Sequence, residues 1–313
     1  MGTRERRSRS NENDRLISQL FLASGADSRE VAIAAVGSFG RGELSPGSDL
    51  DIVILHSGSY SAAKLTEIVN SILYPLWDQK IKVDHSVRTR QEVRAALDDD
   101  LKVAMGLLDI RLICGDSDIV SDIQSMALDA WRDGADKYLP MLESTLEERY
   151  QRNGELAYLL EPDLKESRGG LRDITALRAM NLSGAVRLPM ERISQAESLL
   201  STVREALHIA SGRDKDKLLF TEQDKVAAIL NYGDADLLMS DVAQSARAVD
   251  YLMQMAWHQY HHRDRGGIAR LFARKNSSEI APGIKVVNKE VVIDSEFDID
   301  SDPVIGLRAA ATA

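Results

Sequence analysis

The feature that most constrains the fold is a pair of short apolar runs separated by a glycine-rich turn. The first run, VAIAAVG, begins at Val31 and ends at Gly37, and the second, LDIVIL, begins at Leu50. Short apolar runs bounded by glycine and proline are typical of buried strands. The segment between them, GSFGRGELSPGS, is rich in residues that favour turns. We therefore predict two adjacent strands joined by a functional loop.

Two carboxylates, Asp49 and Asp51, lie at the start of the second run. Alternate residues of a strand point to the same face, so we expect both carboxylates on one side of the sheet, where they could bind Mg²⁺ or Mn²⁺. The alternating run IKVDHSV predicts a third strand that carries Asp84. Asp84 is the candidate third metal ligand, and the candidate base for an attacking hydroxyl in phosphoryl transfer. The alternative is that all three are solvated surface residues.

The turn before the carboxylates is a candidate phosphate-binding site. Gly37 lets backbone N–H groups approach phosphate oxygens, Ser38 adds a hydroxyl donor, and Arg41 offers a positive charge. GSFGRGE has neither the GK[ST] of a P-loop nor the G-x-G-x-x-G order of a dinucleotide fold. The spacing between the turn and the paired aspartates makes the site specific.

The periodicity changes along the chain and predicts an α+β protein. We expect a disordered arm at 1–14, because its Arg, Ser and Asn residues offer little to bury. A small mixed sheet with helices should follow at 15–115, and amphipathic helices should form an all-α bundle at 116–265. Residues 266–313 resemble a tail with a short hairpin, or the start of a further region.

Composition excludes several classes of protein. A net charge of −10 and an isoelectric point near 5.2 disfavour a surface that binds a nucleic acid backbone. The sequence contains no apolar run long enough for a membrane helix and no signal peptide at its start. A single cysteine, Cys114, cannot form an internal disulfide, which fits the reducing cytoplasm. The sequence leaves the oligomeric state open.

Three segments together resemble a known family: GSFGRGELSPGSDLDIVIL, WDQKIKVDHSVRT and EPDLKESRGGLRDI. The first two resemble the polymerase β-like nucleotidyltransferases, whose pattern is Gly-Ser, a variable loop, D-x-D on a strand and a later carboxylate. With the third, the chain is similar over about residues 15–265 to the N-terminal half of the bifunctional enzymes that uridylylate and de-uridylylate the nitrogen-regulatory protein PII. A stretch similar to the third segment belongs to the glutamine synthetase adenylyltransferases.

The resemblance implies transfer of UMP from UTP, or of AMP from ATP, to a tyrosine hydroxyl of PII. It also implies that Lys165 and Arg172 contact the nucleotide, although their segment reads equally well as a helix connection with a turn at Gly169. Asp84 differs from the residue in some members of the family, which carry glycine at this position. Because no His-Asp doublet follows residue 265, de-modification and glutamine sensing are expected to be missing.

Two other functions stay open on the sequence alone. A polymerase β-like enzyme could act on RNA or on a small hydroxylated molecule, although the charge of −10 disfavours RNA. The chain could also be a non-catalytic nucleotide-binding module, against which the intact set of carboxylates argues.

Overall fold

The computed structural model describes residues 2–263, 278–281, 283–287, 290–293 and 304–312. The chain divides into two compact units, Met1–Tyr260 and His261–Ala313. No helix in the described part of the chain is both long and apolar enough to span a membrane.

The first unit contains a four-stranded mixed sheet in the order β3-β2-β1-β4. Its strands are β1 (Val31–Ala35), β2 (Leu50–His56), β3 (Val83–Thr89) and β4 (Arg111–Gly115). The strand β1 pairs antiparallel with β2 and β4, whereas β2 and β3 run parallel. The predicted pair of strands joined by a loop and the predicted third strand are confirmed.

Helices make up most of the rest of this unit, in keeping with the predicted α+β class. They are α1 (Thr3–Ala23), α2 (Gly37–Gly40), α3 (Ala62–Asp78), α4 (Arg90–Asp99), α5 (Leu101–Leu107), α6 (Ser117–Asp133), α7 (Ala135–Asn153), α8 (Leu171–Leu182), α9 (Met190–Ser211), α10 (Phe220–Ile229) and α11 (Ala235–His261). A short 3₁₀ helix spans Leu156–Tyr158.

Both faces of the sheet are covered, which explains why every residue of β1 is buried. On one face Ile33 and Ile54 share a core with Ile17 of α1 and Ile72 of α3. On the other face Ala32, Ala34, Val53 and Leu55 belong to a larger core built with the helices from α4 to α11.

The contacts within the chain do not separate the predicted domains 15–115 and 116–265. One face of the sheet and the later helices bury their apolar side chains in the same core, so the two regions form a single compact unit. Periodicity identifies the apolar face of a helix but not the surface that covers it. The boundary predicted at residue 265 lies close to the one found after residue 260.

The prediction of a disordered arm at 1–14 is wrong, because residues 3–14 lie in helix α1. Arg6 forms an ion pair with Glu205 of α9 (3.5 Å), and Arg9 donates to the same carboxylate (3.0 Å). Arg9 also donates to the backbone oxygen of Leu44, and the amide of Leu44 contacts the Ser10 hydroxyl. These distant partners offset the entropy of ordering a polar segment, and the local sequence could not reveal them.

The second unit contains a three-stranded antiparallel sheet in chain order. Its strands are β5 (Ser278–Ala281), β6 (Ile284–Val287) and β7 (Glu290–Ile293), and a helix, α12, spans Ile305–Thr312. The hairpin predicted for IKVV and EVVID is confirmed by the pairing of Val287 with Glu290.

The ion pair that holds α1 should be measurable in the stability of the chain. Glu205 is 1% exposed and its partner Arg6 is 4% exposed, so Glu205→Ala leaves a buried, unpaired cation. We expect a loss of about 3 kcal/mol in the free energy of unfolding, measured by urea denaturation. Gln195→Ala, on an exposed position of the same helix, should change stability by less than about 0.5 kcal/mol. Equal effects of the two substitutions would contradict the role given to Glu205.

Candidate active site

The three predicted carboxylates lie at one end of β2 and β3. Asp51 is the second residue of β2 and Asp84 the second residue of β3, and the parallel register places them directly opposite each other. Neighbouring strands lie about 4.8 Å apart, so the two side chains are close. Asp49 immediately precedes β2 and is exposed, as is Asp84, whereas Asp51 is partly buried.

The surroundings of Asp51 are crowded with negative charge. Burial raises its pKa, and the charges of Asp84 and Asp49 raise it further, while the charges of Lys102 and Lys165 act in the opposite direction. Asp49 and Asp84 therefore both repel the charge of Asp51. A cation near such a carboxyl favours its charged form.

The donor set suits a hard divalent cation, because every candidate ligand is a carboxylate oxygen. Among the described residues, no group of three His, Cys, Asp or Glu side chains is arranged closely enough to form a complete metal site. Asp49, Asp51 and Asp84 would thus hold Mg²⁺ or Mn²⁺ together with oxygens from outside the protein. The triphosphate of a nucleotide is a natural source of such oxygens.

The Gly-Ser turn lies against Asp51 and forms the one-turn helix α2. Gly37 has a φ of +58°, and a Cβ atom there would lie 3.3 Å from Oδ2 of Asp51. The amide of Val36, just before the turn, donates to the backbone oxygen of Asp51 (3.0 Å). Ser38 is partly exposed, and its hydroxyl forms no hydrogen bond with any described residue. Gly37 therefore lies beside Asp51, and phosphate binding by Gly37 and Ser38 stays a prediction.

Arg41 has structural partners. Its guanidinium pairs with Glu43 (2.8 Å) and with Asp109, which follows α5. Burial disfavours the charged form, but the charges of Asp109 and Glu43 outweigh this effect and raise the pKa of Arg41. Through these contacts Arg41 connects the end of α2 to the residues that follow α5. Its contact with phosphate stays a prediction.

The segment EPDLKESRGGLRDI forms a tightly packed loop before α8. A Cβ atom on Gly169 would lie 2.7 Å from the backbone oxygen of Ala246 in α11, and Gly169 has a φ of +86°. The buried carboxylate of Asp173 accepts from the Gly169 amide (2.6 Å), the Tyr150 hydroxyl (3.0 Å) and Arg149. Packing therefore accounts for the glycine and the aspartate of this motif.

Lys165 and Arg172, which the same motif carries, have different surroundings. Arg172 is 55% exposed and forms an ion pair with Glu166 (2.7 Å). The charge of Lys165 acts on Asp51, and no described residue forms an ion pair with it. The charge of Lys165 therefore lowers the pKa of Asp51, whereas Arg172 is not among the charges that act on this carboxyl.

Sequence reasoning missed a second lysine at the site. Lys102 is the second residue of α5, and its Nζ atom lies 3.9 Å from Oδ2 of Asp84. Its side chain is 90% exposed, and its charge also acts on Asp51. In the sequence it stands after three aspartates at the start of a helix, where a lysine reads as solvated. Only the folding of α5 onto the sheet reveals its position.

Two protein families match different parts of the chain. Residues 20–104, which include all three carboxylates, match a nucleotidyltransferase domain. Residues 141–182 and 186–257 match the family described as GlnD PII-uridylyltransferase. The later part of the chain is therefore similar to the PII-uridylyltransferases, and the part that carries the carboxylates is similar to nucleotidyltransferase domains.

Individual relatives agree with this assignment. The chain is 41% identical over its whole length to a bifunctional uridylyltransferase/uridylyl-removing enzyme of Streptomyces coelicolor, of which the match covers 39%. It is 34% identical over 92% of its length to the protein of the same name from Mycobacterium tuberculosis, and 32% identical over 95% to that of Corynebacterium glutamicum. The chain spans between 37% and 41% of the length of these relatives.

The repulsion at Asp51 should be visible as a stability effect. Its pKa is raised in the folded chain, so the folded state is penalised at neutral pH, and the penalty disappears as the carboxyl takes up a proton in acid. We therefore expect Asp51→Asn to raise the midpoint of thermal unfolding at about pH 7, and to have no effect near about pH 3. The measurement is calorimetry across this range in metal-free buffer.

The exposed Asp224 of α10 provides a matched control. Asp224→Asn removes the same charge without relieving any repulsion at the site, so it should leave the midpoint nearly unchanged. A lower midpoint for Asp51→Asn at neutral pH would show that Asp51 is not under like-charge repulsion.

Proposed function

We propose that the chain is a protein nucleotidyltransferase that transfers UMP from UTP, or AMP from ATP, to a tyrosine hydroxyl of PII and releases pyrophosphate. The observation that carries this proposal is the parallel register of Asp51 and Asp84 beside the turn at Gly37, in a chain that is similar to PII-uridylyltransferases. The name of the relatives favours UTP as the donor. Pyrophosphate release from a nucleotide needs phosphate binding, a metal and a base, and the site offers a residue for each.

In the proposed reaction the tyrosine oxygen bonds to the α-phosphorus of the nucleotide. The bond from that phosphorus to the bridging oxygen breaks, and pyrophosphate leaves with the electron pair. Asp84 accepts the tyrosine proton, for which its exposure leaves room. Asp49 and Asp51 hold the metal, which when bound offsets negative charge on the phosphates.

The remaining residues bind and orient the nucleotide. Backbone N–H groups at Gly37 and the hydroxyl of Ser38 donate to phosphate oxygens. Lys165, from the loop before α8, and Lys102, from α5, supply positive charge. The charges of both lysines act on Asp51. Positive groups close to the phosphates stabilise the charge that develops on the leaving group.

The direct test is to incubate the chain with purified PII, Mg²⁺ and each of the four nucleoside triphosphates, and to weigh PII by mass spectrometry. We expect a mass gain of one UMP or one AMP, located on tyrosine by fragmentation. Asp49→Ala and Asp51→Ala should each reduce the rate by at least about a thousandfold, whereas Gln195→Ala should not.

Other outcomes favour other functions. Incorporation into tRNA or a small hydroxylated molecule, but not into PII, would favour a nucleotidyltransferase with a different acceptor. Nucleotide binding without transfer, with either Mg²⁺ or Mn²⁺, would favour a non-catalytic module.

The two charged residues of the EPDLKESRGGLRDI segment give a paired prediction. Lys165→Ala should lower kcat/KM by about tenfold or more, since it removes a positive charge that acts at the carboxylates. Arg172→Ala removes an exposed ion pair with Glu166 and should change kcat/KM by less than about twofold. Steady-state kinetics of the two variants decides the point. An equal loss for both would mean that Arg172 also binds the nucleotide.

A further inference from the structure

The loop that carries Asp49 is held by residues far away in the sequence. This aspartate loop, residues 42–49, connects α2 to β2. The Ser45 hydroxyl, which is buried, accepts from Nη1 of Arg204 in α9 (3.1 Å). The backbone oxygen of Pro46 lies 2.8 Å from Nδ1 of His208 in the same helix. Since a carbonyl oxygen only accepts, His208 donates to it.

Arg204 and His208 also both contact one carboxylate, that of Asp216. Arg204 donates to it through Nε (2.6 Å) and Nη2 (3.2 Å), and Nε2 of His208 lies 2.8 Å from its Oδ1. Burial by itself would raise the pKa of Asp216, but the hydrogen bonds from His208 and Arg204 lower it to about 2. Asp216 is therefore charged at neutral pH and holds both residues in place.

Asp216 also connects to the loop that carries Lys165. Its backbone oxygen accepts from the amide of Leu164 (2.9 Å), the residue before Lys165. The charge of Lys165 acts on the Asp216 carboxylate as well as on Asp51. Asp216 therefore contacts both the side chains that hold the loop of Asp49 and the residue that precedes Lys165.

A nearby contact confines the aspartate loop further. Gly47 has a φ of +72°, and a Cβ atom there would lie 3.2 Å from Cβ of Asp214. Asp214 forms an ion pair with Lys82, which precedes β3. The segment after α9 thus contacts both the loop before β2 and the residues before β3.

We propose that His208, Arg204 and Asp216 are positioning residues that fix Asp49 relative to Lys165. Three polar side chains that are at most 15% exposed share one network here, an arrangement that costs more than an apolar contact between a helix and a loop. Two hydrogen bonds of the network fix atoms of the loop, the Ser45 hydroxyl and the Pro46 backbone oxygen, and the others hold Arg204 and His208 on Asp216. The inference rests on the proposed function in treating Asp49 and Lys165 as active-site groups.

The test compares His208→Gln and Ser45→Ala with wild type and with a control, Gln223→Ala. Gln223 is buried in α10 and donates to the backbone oxygen of Leu160 (2.7 Å), so its loss removes a comparable hydrogen bond without touching the aspartate loop. Ser45→Ala is the smaller change and keeps the test valid if His208→Gln folds poorly.

Three quantities are measured on each folded variant. Hydrogen exchange of the amides in residues 42–50 should become about five- to tenfold faster in His208→Gln and Ser45→Ala, and stay unchanged in Gln223→Ala. Mn²⁺ binding, followed by electron paramagnetic resonance, should weaken about threefold or more in the first two variants only. With PII as acceptor, kcat should fall about tenfold while KM for the nucleotide changes less than about twofold.

The outcomes separate this inference from the proposed function. Unchanged exchange in the aspartate loop, or faster exchange with unchanged Mn²⁺ binding, would overturn the positioning role. A wild-type chain that transfers no nucleotide would overturn the proposed function, and the exchange and Mn²⁺ measurements would still decide the role of His208.

Discussion

The site depends on holding like charges together. Asp51 and Asp84 face each other across a parallel ladder, so they cannot move apart unless β2 and β3 separate. A shift of register by one residue would exchange Ile52 and Ile54 with Val53 and Leu55 between the two cores that cover the sheet, which makes the pairing firm. The burial that stabilises β2 therefore maintains the repulsion at its first residues, and Lys102 and Lys165 offset part of it.

The helices contribute to the site as much as the sheet does. Lys165 comes from the loop before α8, and the aspartate loop is held by α9 and by the residues after it. Helix α1 reaches the same loop through Arg9, which donates to Leu44 and pairs with Glu205 of α9. In the proposed function the carboxylates supply the chemistry, and the later half of the chain holds the loop that carries Asp49.

Local patterns of the sequence were sufficient for three strands of the sheet and for the position of its carboxylates, whereas the strand β4 was not predicted. Strand alternation placed Asp49 and Asp51 correctly, and it placed Asp84 on the neighbouring strand. The contacts that the sequence did not reveal join residues far apart in it: Glu205 with the first helix, Asp109 with Arg41, and Asp84 with Lys102. His208 and Asp216 were missed for the same reason, since a histidine near a helix end gives no sign of the loop it will meet.

The acidic character of the chain is consistent with a site for triphosphates because charge acts locally. At physiological ionic strength, exposed charges more than about 8 Å apart are largely screened from each other, so a net charge of −10 does not describe the field at one end of the sheet. A nucleic acid presents phosphates along its whole length and needs a matching track of cations. A triphosphate is compact, and the proposed site would offer it two lysines, a turn of backbone amides and carboxylates that could hold a metal. The same composition that argues against a nucleic acid partner therefore leaves room for a nucleotide.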